Sequence, residues 1–266
     1  MTSLPPVHYI VEGAGPAVVL IHGVGADLSS WDQVAPVLAL SRTVLRPDLR
    51  GHGKSPALRP PFALEGFSDD IVAMLDREGI AQADIVGFSL GGLIAQSVAL
   101  DHPDRVNRLA LLATVAGRTE EERQRVASRH AIILRDGIAA VTGGARERWF
   151  TEEFATAHPE RVETRIRSLV ANDVQSYAEA YRIFGSGDLA DRLHDIRHET
   201  LVLTGEQDSG SSPRMSRLMH ERIENSRLVI LPRLKHSLLV EAPGIIAAHL
   251  AAFLDGAPQP SVGLSA

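Results

Sequence analysis

The segment that most constrains this chain is a strand-like run, Asp84–Val86, entering Gly87-Phe88-Ser89-Leu90-Gly91 and leaving as a helix-forming run, Leu90–Leu100. G-x-S-x-G between a strand and a helix marks a sharp turn. The serine sits there in a strained backbone conformation, and glycines two before and two after it let the chain pass close to itself. Such a turn lifts the Ser89 hydroxyl above a sheet. It also sets the Leu90 N–H at a helix N-terminus, where it can meet a developing oxyanion. The chain must therefore build buried strands with helices packed on them, and Ser89 is a candidate nucleophile.

The rest of the sequence alternates in the same way. Val18–Ile21, Thr43–Leu45, Leu109–Ala113, Leu201–Thr204 and Leu228–Leu231 are short apolar runs of the kind buried on both faces of a parallel sheet. Glu65–Glu78, Pro213–Ile223 and Ile245–Leu254 read as helices between them. This alternation predicts an α/β fold with a doubly wound, mostly parallel sheet. Between 118 and 193 there is no good strand, only helix-like segments rich in Arg and Glu. A structureless loop of that length is foreign to a compact domain. Residues 118–193 are therefore predicted as a helical cap inserted into a core made of 1–117 and 194–255. Residues 256–266, rich in Gly, Pro and Ser, have the composition of a disordered tail.

Two later loops supply what a serine nucleophile needs. Gly205-Glu206-Gln207-Asp208 follows one strand and Lys235-His236-Ser237 the next. Histidine can take the serine proton and return it to a leaving group near neutral pH. A carboxylate fixes its tautomer and stabilises the imidazolium. Of the eleven histidines only His236 follows the last strand and precedes the last helix. Glu206 competes with Asp208 in the same loop, and the later position fits better. Gly23-Val24-Gly25, with Asp48 further on, imitates a dinucleotide fingerprint, but its third glycine falls at Leu28. No cofactor or metal is expected.

Composition removes other classes. There is no cysteine, which excludes disulfides, thiolate metal sites and a cysteine nucleophile. A net charge of −6 with scattered Lys and Arg leaves no nucleic-acid footprint and no membrane-binding stripe. Met1–Pro6 lacks the pattern of a signal peptide, and no apolar run approaches a membrane span. The expectation is a cytoplasmic protein with a small-molecule substrate and neither nucleic-acid nor membrane partners. A homo-oligomer is left open.

With these motifs the chain resembles the α/β-hydrolase superfamily along nearly its whole length. The order Ser, Asp, His matches that superfamily. The resemblance implies a second oxyanion donor in the loop after the strand Val18–Ile21, here the Val24 N–H beside that of Leu90. Asp48-Leu49-Arg50-Gly51-His52-Gly53-Lys54-Ser55 resembles the superfamily's D-x-R-G-x-G-x-S segment, whose implied role is to support the elbow and the oxyanion loop. Closer still is a resemblance to 3-oxoadipate enol-lactonases. It is carried by Gly25-Ala26-Asp27-Leu28-Ser29-Ser30-Trp31, by Arg148-Trp149-Phe150-Thr151 and by Asp188-Leu189-Ala190-Asp191-Arg192-Leu193. It implies a serine hydrolase that cleaves a small ester, lactone or amide through an acyl-enzyme, with a carboxylated enol-lactone of aromatic catabolism among the substrates. At Ile21-His22-Gly23, where many enol-lactonases carry a Ser-Asn-Ser-like segment, the chain has the version found in esterases, C–C bond hydrolases and cofactor-free haloperoxidases. C–C bond hydrolysis, cofactor-free peroxide or oxygen chemistry, and a non-catalytic binding protein on the same scaffold remain as alternatives.

A cap inserted at this point would roof the site and exclude water. Arg118, just past a strand end, is the candidate to hold a substrate carboxylate through a bidentate pair. Trp149, one of two tryptophans, is the candidate wall of the acyl or ring pocket. Phe88, beside the nucleophile, and His22 complete the candidate substrate-binding set.

Overall fold

The computed structural model describes residues 5–260. Seven strands form one sheet: β1 (Tyr9–Gly13), β2 (Ala17–Ile21), β3 (Thr43–Pro47), β4 (Ala83–Phe88), β5 (Val106–Leu112), β6 (Glu199–Gly205) and β7 (Ser226–Leu231). Their spatial order is β1-β3-β2-β4-β5-β6-β7. All neighbours run parallel except β1, which pairs antiparallel with β3 along the edge. The predicted α/β class is the observed one. β1 escapes the sequence reading because it is a half-exposed edge strand, without the apolar run of its neighbours.

Eleven helices accompany the sheet among the described residues: α1 (Ala35–Leu38), α2 (Leu64–Arg77), α3 (Leu90–Asp101), α4 (Glu120–Asp136), α5 (Thr142–Trp149), α6 (Glu152–Ala157), α7 (Pro159–Val170), α8 (Val174–Ser186), α9 (Pro213–Arg222), α10 (Leu238–Glu241) and α11 (Pro243–Leu254). Their starts are written locally. Thr119 and Glu122 form a capping box on α4, while Thr151 and Asp173 cap α6 and α8. Proline opens α7, α9 and α11, where its missing N–H costs nothing.

Burial on both faces of the sheet follows from strands whose successive side chains point to opposite sides. In β2, Val19 and Ile21 join one core with α2 and α3, and Val18 and Leu20 join a second core with α1 and α11. α4 to α8 all fall between β5 and β6 in the chain, and their apolar residues extend the first core. The tail expected to be disordered from 256 is not free at its start. Gln259 meets His249 Nδ1 at 2.9 Å, and Arg227 donates to the Ala257 carbonyl. The remainder of that expectation, 261–266, lies outside the described residues.

Candidate active site

Ser89 occupies the turn between β4 and α3 with φ 56° and ψ −115°, a left-handed conformation rare for a side chain with a Cβ. Holding it costs about 1–3 kcal/mol, which the surroundings must supply. They do so through backbone bonds: the Ser89 N–H donates to the Leu112 carbonyl at 2.9 Å, and Thr114 Oγ1 donates to the Ser89 carbonyl at 2.7 Å. Side chains at Gly87 and Gly91 would collide with the Gly91 and Ile21 carbonyls, so the G-x-S-x-G spacing is steric in origin.

Asp208 lies in the loop after β6 and His236 in the loop after β7. His236 Nδ1 stands 2.7 Å from Asp208 Oδ2. Oδ1 of the same carboxylate accepts from the Gly210 and Ser211 N–H groups at 2.8 and 2.9 Å. Glu206, the competing acid, is exposed and accepts from the Arg233 N–H at 3.0 Å. The Phe88 ring lies 5.1 Å from the His236 ring, centroid to centroid. Ser89, Asp208, His236 and Phe88 line one cavity. No hydrogen bond joins Ser89 Oγ to His236, and pairs of this kind often tighten only when substrate arrives.

The loop after β2 is held from behind by two histidines. His22 Nδ1 donates to the Gly23 carbonyl at 2.8 Å, and its Nε2 accepts from the Leu49 N–H at 2.9 Å. His52 Nε2 accepts from the Gly25 N–H at 3.0 Å. Both rings are fully buried, and that burial lowers both pKa values, His52 to about 3. The expectation that His22 contacts substrate is therefore corrected. Both of its ring nitrogens are taken by backbone, and it lies outside the cavity wall. Val24 lines the cavity; the Leu90 side chain is buried in the core, which leaves only its backbone for the site. The Leu90 N–H is the first of α3 and has no acceptor within its helix.

α4, α5, α7 and α8 supply much of the remaining wall. The Trp149 ring lies there under the Arg165 guanidinium at 4.7 Å, and its carbonyl accepts from the Ser237 N–H, beside His236, at 2.9 Å. Arg118 is also in the wall, but its Nη1 donates to the Gly187 carbonyl at 3.0 Å and its guanidinium stacks 4.6 Å over Phe184. Arg129, Arg148 and Arg165 stand in the wall with it, whereas Asp208 is the only carboxylate among the lining residues. Burial lowers the pKa of Arg118 and of Arg165 to about 10, so both remain charged at neutral pH. Sequence reasoning picks out Arg118 alone among the four. A readable signal beside them is the spacing Tyr177, Tyr181, Phe184, an aromatic stripe on α8 that lines the same cavity and that Arg129 and Arg118 contact at Tyr181 and Phe184.

This arrangement, an elbow serine above a parallel sheet with a histidine–carboxylate pair from the last two strand loops, is the plan of one family. Residues 16–243 match the α/β hydrolase fold family, and the chain belongs to it. It is 30% identical to an (E)-2-((N-methylformamido)methylene)succinate hydrolase of Acinetobacter baylyi, over 94% of this chain and 95% of that one. It is also 30% identical to a 3-oxoadipate enol-lactonase of the same organism, over 86% of this chain and 84% of the other. Among solved structures, the enol-lactonase from Burkholderia xenovorans superposes with a TM-score of 0.89 at 28% identity, covering 94% of this chain and 96% of that one. No described helix is long and apolar enough to cross a membrane.

Proposed function

We propose that this chain is a serine hydrolase that cleaves a small carboxylated ester, lactone or amide through an acyl-enzyme. The observation that carries the reading is the 2.7 Å contact between His236 and Asp208 in the cavity that holds the strained Ser89. Ser89 Oγ attacks the substrate carbonyl while His236 Nε2 takes the hydroxyl proton. Asp208 keeps Nδ1 protonated and stabilises the imidazolium. The Val24 and Leu90 N–H groups receive the charge that develops on the carbonyl oxygen. His236 then returns the proton to the leaving group. A water deprotonated by His236 opens the acyl-enzyme, and Ser89 is regenerated.

Two observations support a carboxylate in the substrate. The cavity wall carries four arginines against one carboxylate, and that carboxylate is engaged with His236. The names of the two Acinetobacter relatives, a succinate hydrolase and an oxoadipate enol-lactonase, also denote carboxylated molecules. The helices between β5 and β6 act in this reading as a cap that excludes water from the acyl-enzyme. The test is a panel of small lactones, esters and amides, each with and without a carboxylate, assayed with the wild type and with Ser89→Ala. A carboxylated member turned over by the wild type and not by the variant supports the reading. Turnover retained by Ser89→Ala overturns it.

A further inference from the structure

The four arginines of the cavity are held in different ways. Arg118 is held by the protein through Nη1, while its buried Nη2 has no partner among the described residues. Its side chain donates to the Gly185 and Gly187 carbonyls at 3.4 and 3.0 Å and lies on Phe184, and its N–H donates to Asp188 at 2.9 Å. These contacts tie the exit of β5 to the end of α8. Arg129 is held by the Tyr181 hydroxyl at 2.8 Å. Arg148, at the end of α5, makes no hydrogen bond or ion pair within the described residues. Arg165, from α7, makes one hydrogen bond, Nη1 to the Gly25 carbonyl at 2.8 Å, and pairs with no described carboxylate. Beside them stands Tyr177. Burial raises the pKa of its hydroxyl, and Arg165, Arg148 and Arg129 all lie near enough to oppose that rise.

Guanidinium groups in a sheltered wall are costly unless an anion meets them. From this geometry we infer that Arg148, Arg165 and Tyr177 form the subsite for the substrate carboxylate, and that Arg118 is a positioning residue. The inference rests on the serine-hydrolase reading and specifies which cations that site uses. It moves the carboxylate from Arg118, where the sequence places it, to Arg148 and Arg165.

The same subsite touches both catalytic loops. Arg165 holds the carbonyl of Gly25, one residue from the oxyanion donor Val24. The Trp149 ring beneath its guanidinium belongs to the residue whose carbonyl holds the Ser237 N–H, next to His236. Arg165 therefore serves binding through its charge and turnover through Gly25, whereas Arg148 serves binding alone.

Monomethyl glutarate and methyl valerate test this, because they share a chain length and differ only in a terminal carboxylate against a methyl group. Hydrolysis is followed by proton release. Wild type prefers the carboxylated ester. Arg148→Gln lowers its kcat/KM about 30-fold or more, through KM, and changes methyl valerate by less than about threefold. Arg165→Gln removes the same preference and also lowers kcat for both esters. Arg165→Lys, which keeps the charge, recovers part of the preference. Arg118→Gln lowers both esters by the same factor.

Absence of a preference in the wild type overturns the inference. So does a preference lost only in Arg118→Gln. Calorimetric binding of monomethyl glutarate to folded Ser89→Ala, compared with the Ser89→Ala/Arg148→Gln double variant, needs no turnover. Equal binding by the two overturns the subsite even if Ser89 is the nucleophile, and weaker binding by the double variant supports it even if Ser89 is not. Thermal unfolding identifies any variant that fails to fold, and Arg148→Lys then replaces Arg148→Gln, with the same preference for the carboxylated ester expected to survive.

Discussion

His236 Nδ1 lies 2.7 Å from Oδ2 of Asp208, and the other oxygen of that carboxylate is pinned by two backbone N–H groups. The carboxylate is thus fixed before it fixes the imidazole. An amide at position 208 would direct an N–H at Nδ1 or leave it without a charged partner, and so favour the wrong tautomer. Asp208→Asn is expected to lower kcat by about 10⁴-fold. Glu206→Gln, at the exposed end of the same loop, is expected to stay within about threefold of wild type, as a surface change away from the site. Steady-state kcat for the two variants decides between the acids, and equal losses would leave Asp208 without its role.

The pair His22 and His52 predicts the acid side of the stability profile. Both are buried and neutral, with folded pKa values below the ordinary value of 6.5, His52 at about 3. The unfolded chain takes up these protons below pH 6.5, and the folded chain resists doing so. Stability therefore falls as pH drops from 6.5 toward 3, by up to about 1.4 kcal/mol per pH unit for His52, with His22 acting in the same direction. Replacing His52 with Asn, which can still accept from the Gly25 N–H, should flatten this slope in urea unfolding measured between pH 7 and 4. An unchanged slope would show that His52 does not resist protonation in the folded state.

Gly25 links the loop after β2 to the helices above it. Its φ is 67°, and a Cβ there would fall 2.6 Å from the Tyr177 ring and against Leu169. Gly25→Ala must therefore shift either the oxyanion loop or α7 and α8. Strain in the left-handed region alone costs about 1–2 kcal/mol. Loss of one oxyanion donor is worth about 10²–10³ in kcat. The expected result is a folded protein with a lower Tm and a kcat reduced about 10²-fold. A kcat equal to wild type would mean that the loop's position does not govern turnover.

The core of the fold and three residues of the site are legible in the sequence for one physical reason. Strands buried on both faces appear as apolar runs, and the loops at their C-terminal ends must carry whatever chemistry the sheet supports. Ser89, Asp208 and His236 each follow such a run, and the structure brings all three to one cavity. β1 is not legible, because an edge strand with an exposed face lacks the run. The surroundings of His22 and Arg118 are hidden for a related reason. Sequence shows that each sits near a strand end, but not that backbone groups occupy both ring nitrogens of His22 and that Gly185 and Gly187 carbonyls hold Nη1 of Arg118. Arg148 and Arg165 are hidden among many arginines, and only the packing of α7 over the loop after β2 and of α5 over the loop after β7 separates them from surface charge.

The central claim is that Ser89 is the nucleophile, and it is tested most directly by peptide mass spectrometry after reaction with a fluorophosphonate. The account predicts a single adduct, on the peptide carrying Ser89. It should be absent from heat-denatured protein and from Ser89→Ala, and greatly slowed in His236→Ala, whose serine lacks its base. A folded protein that takes no adduct at Ser89, or takes it equally fast without His236, would contradict it.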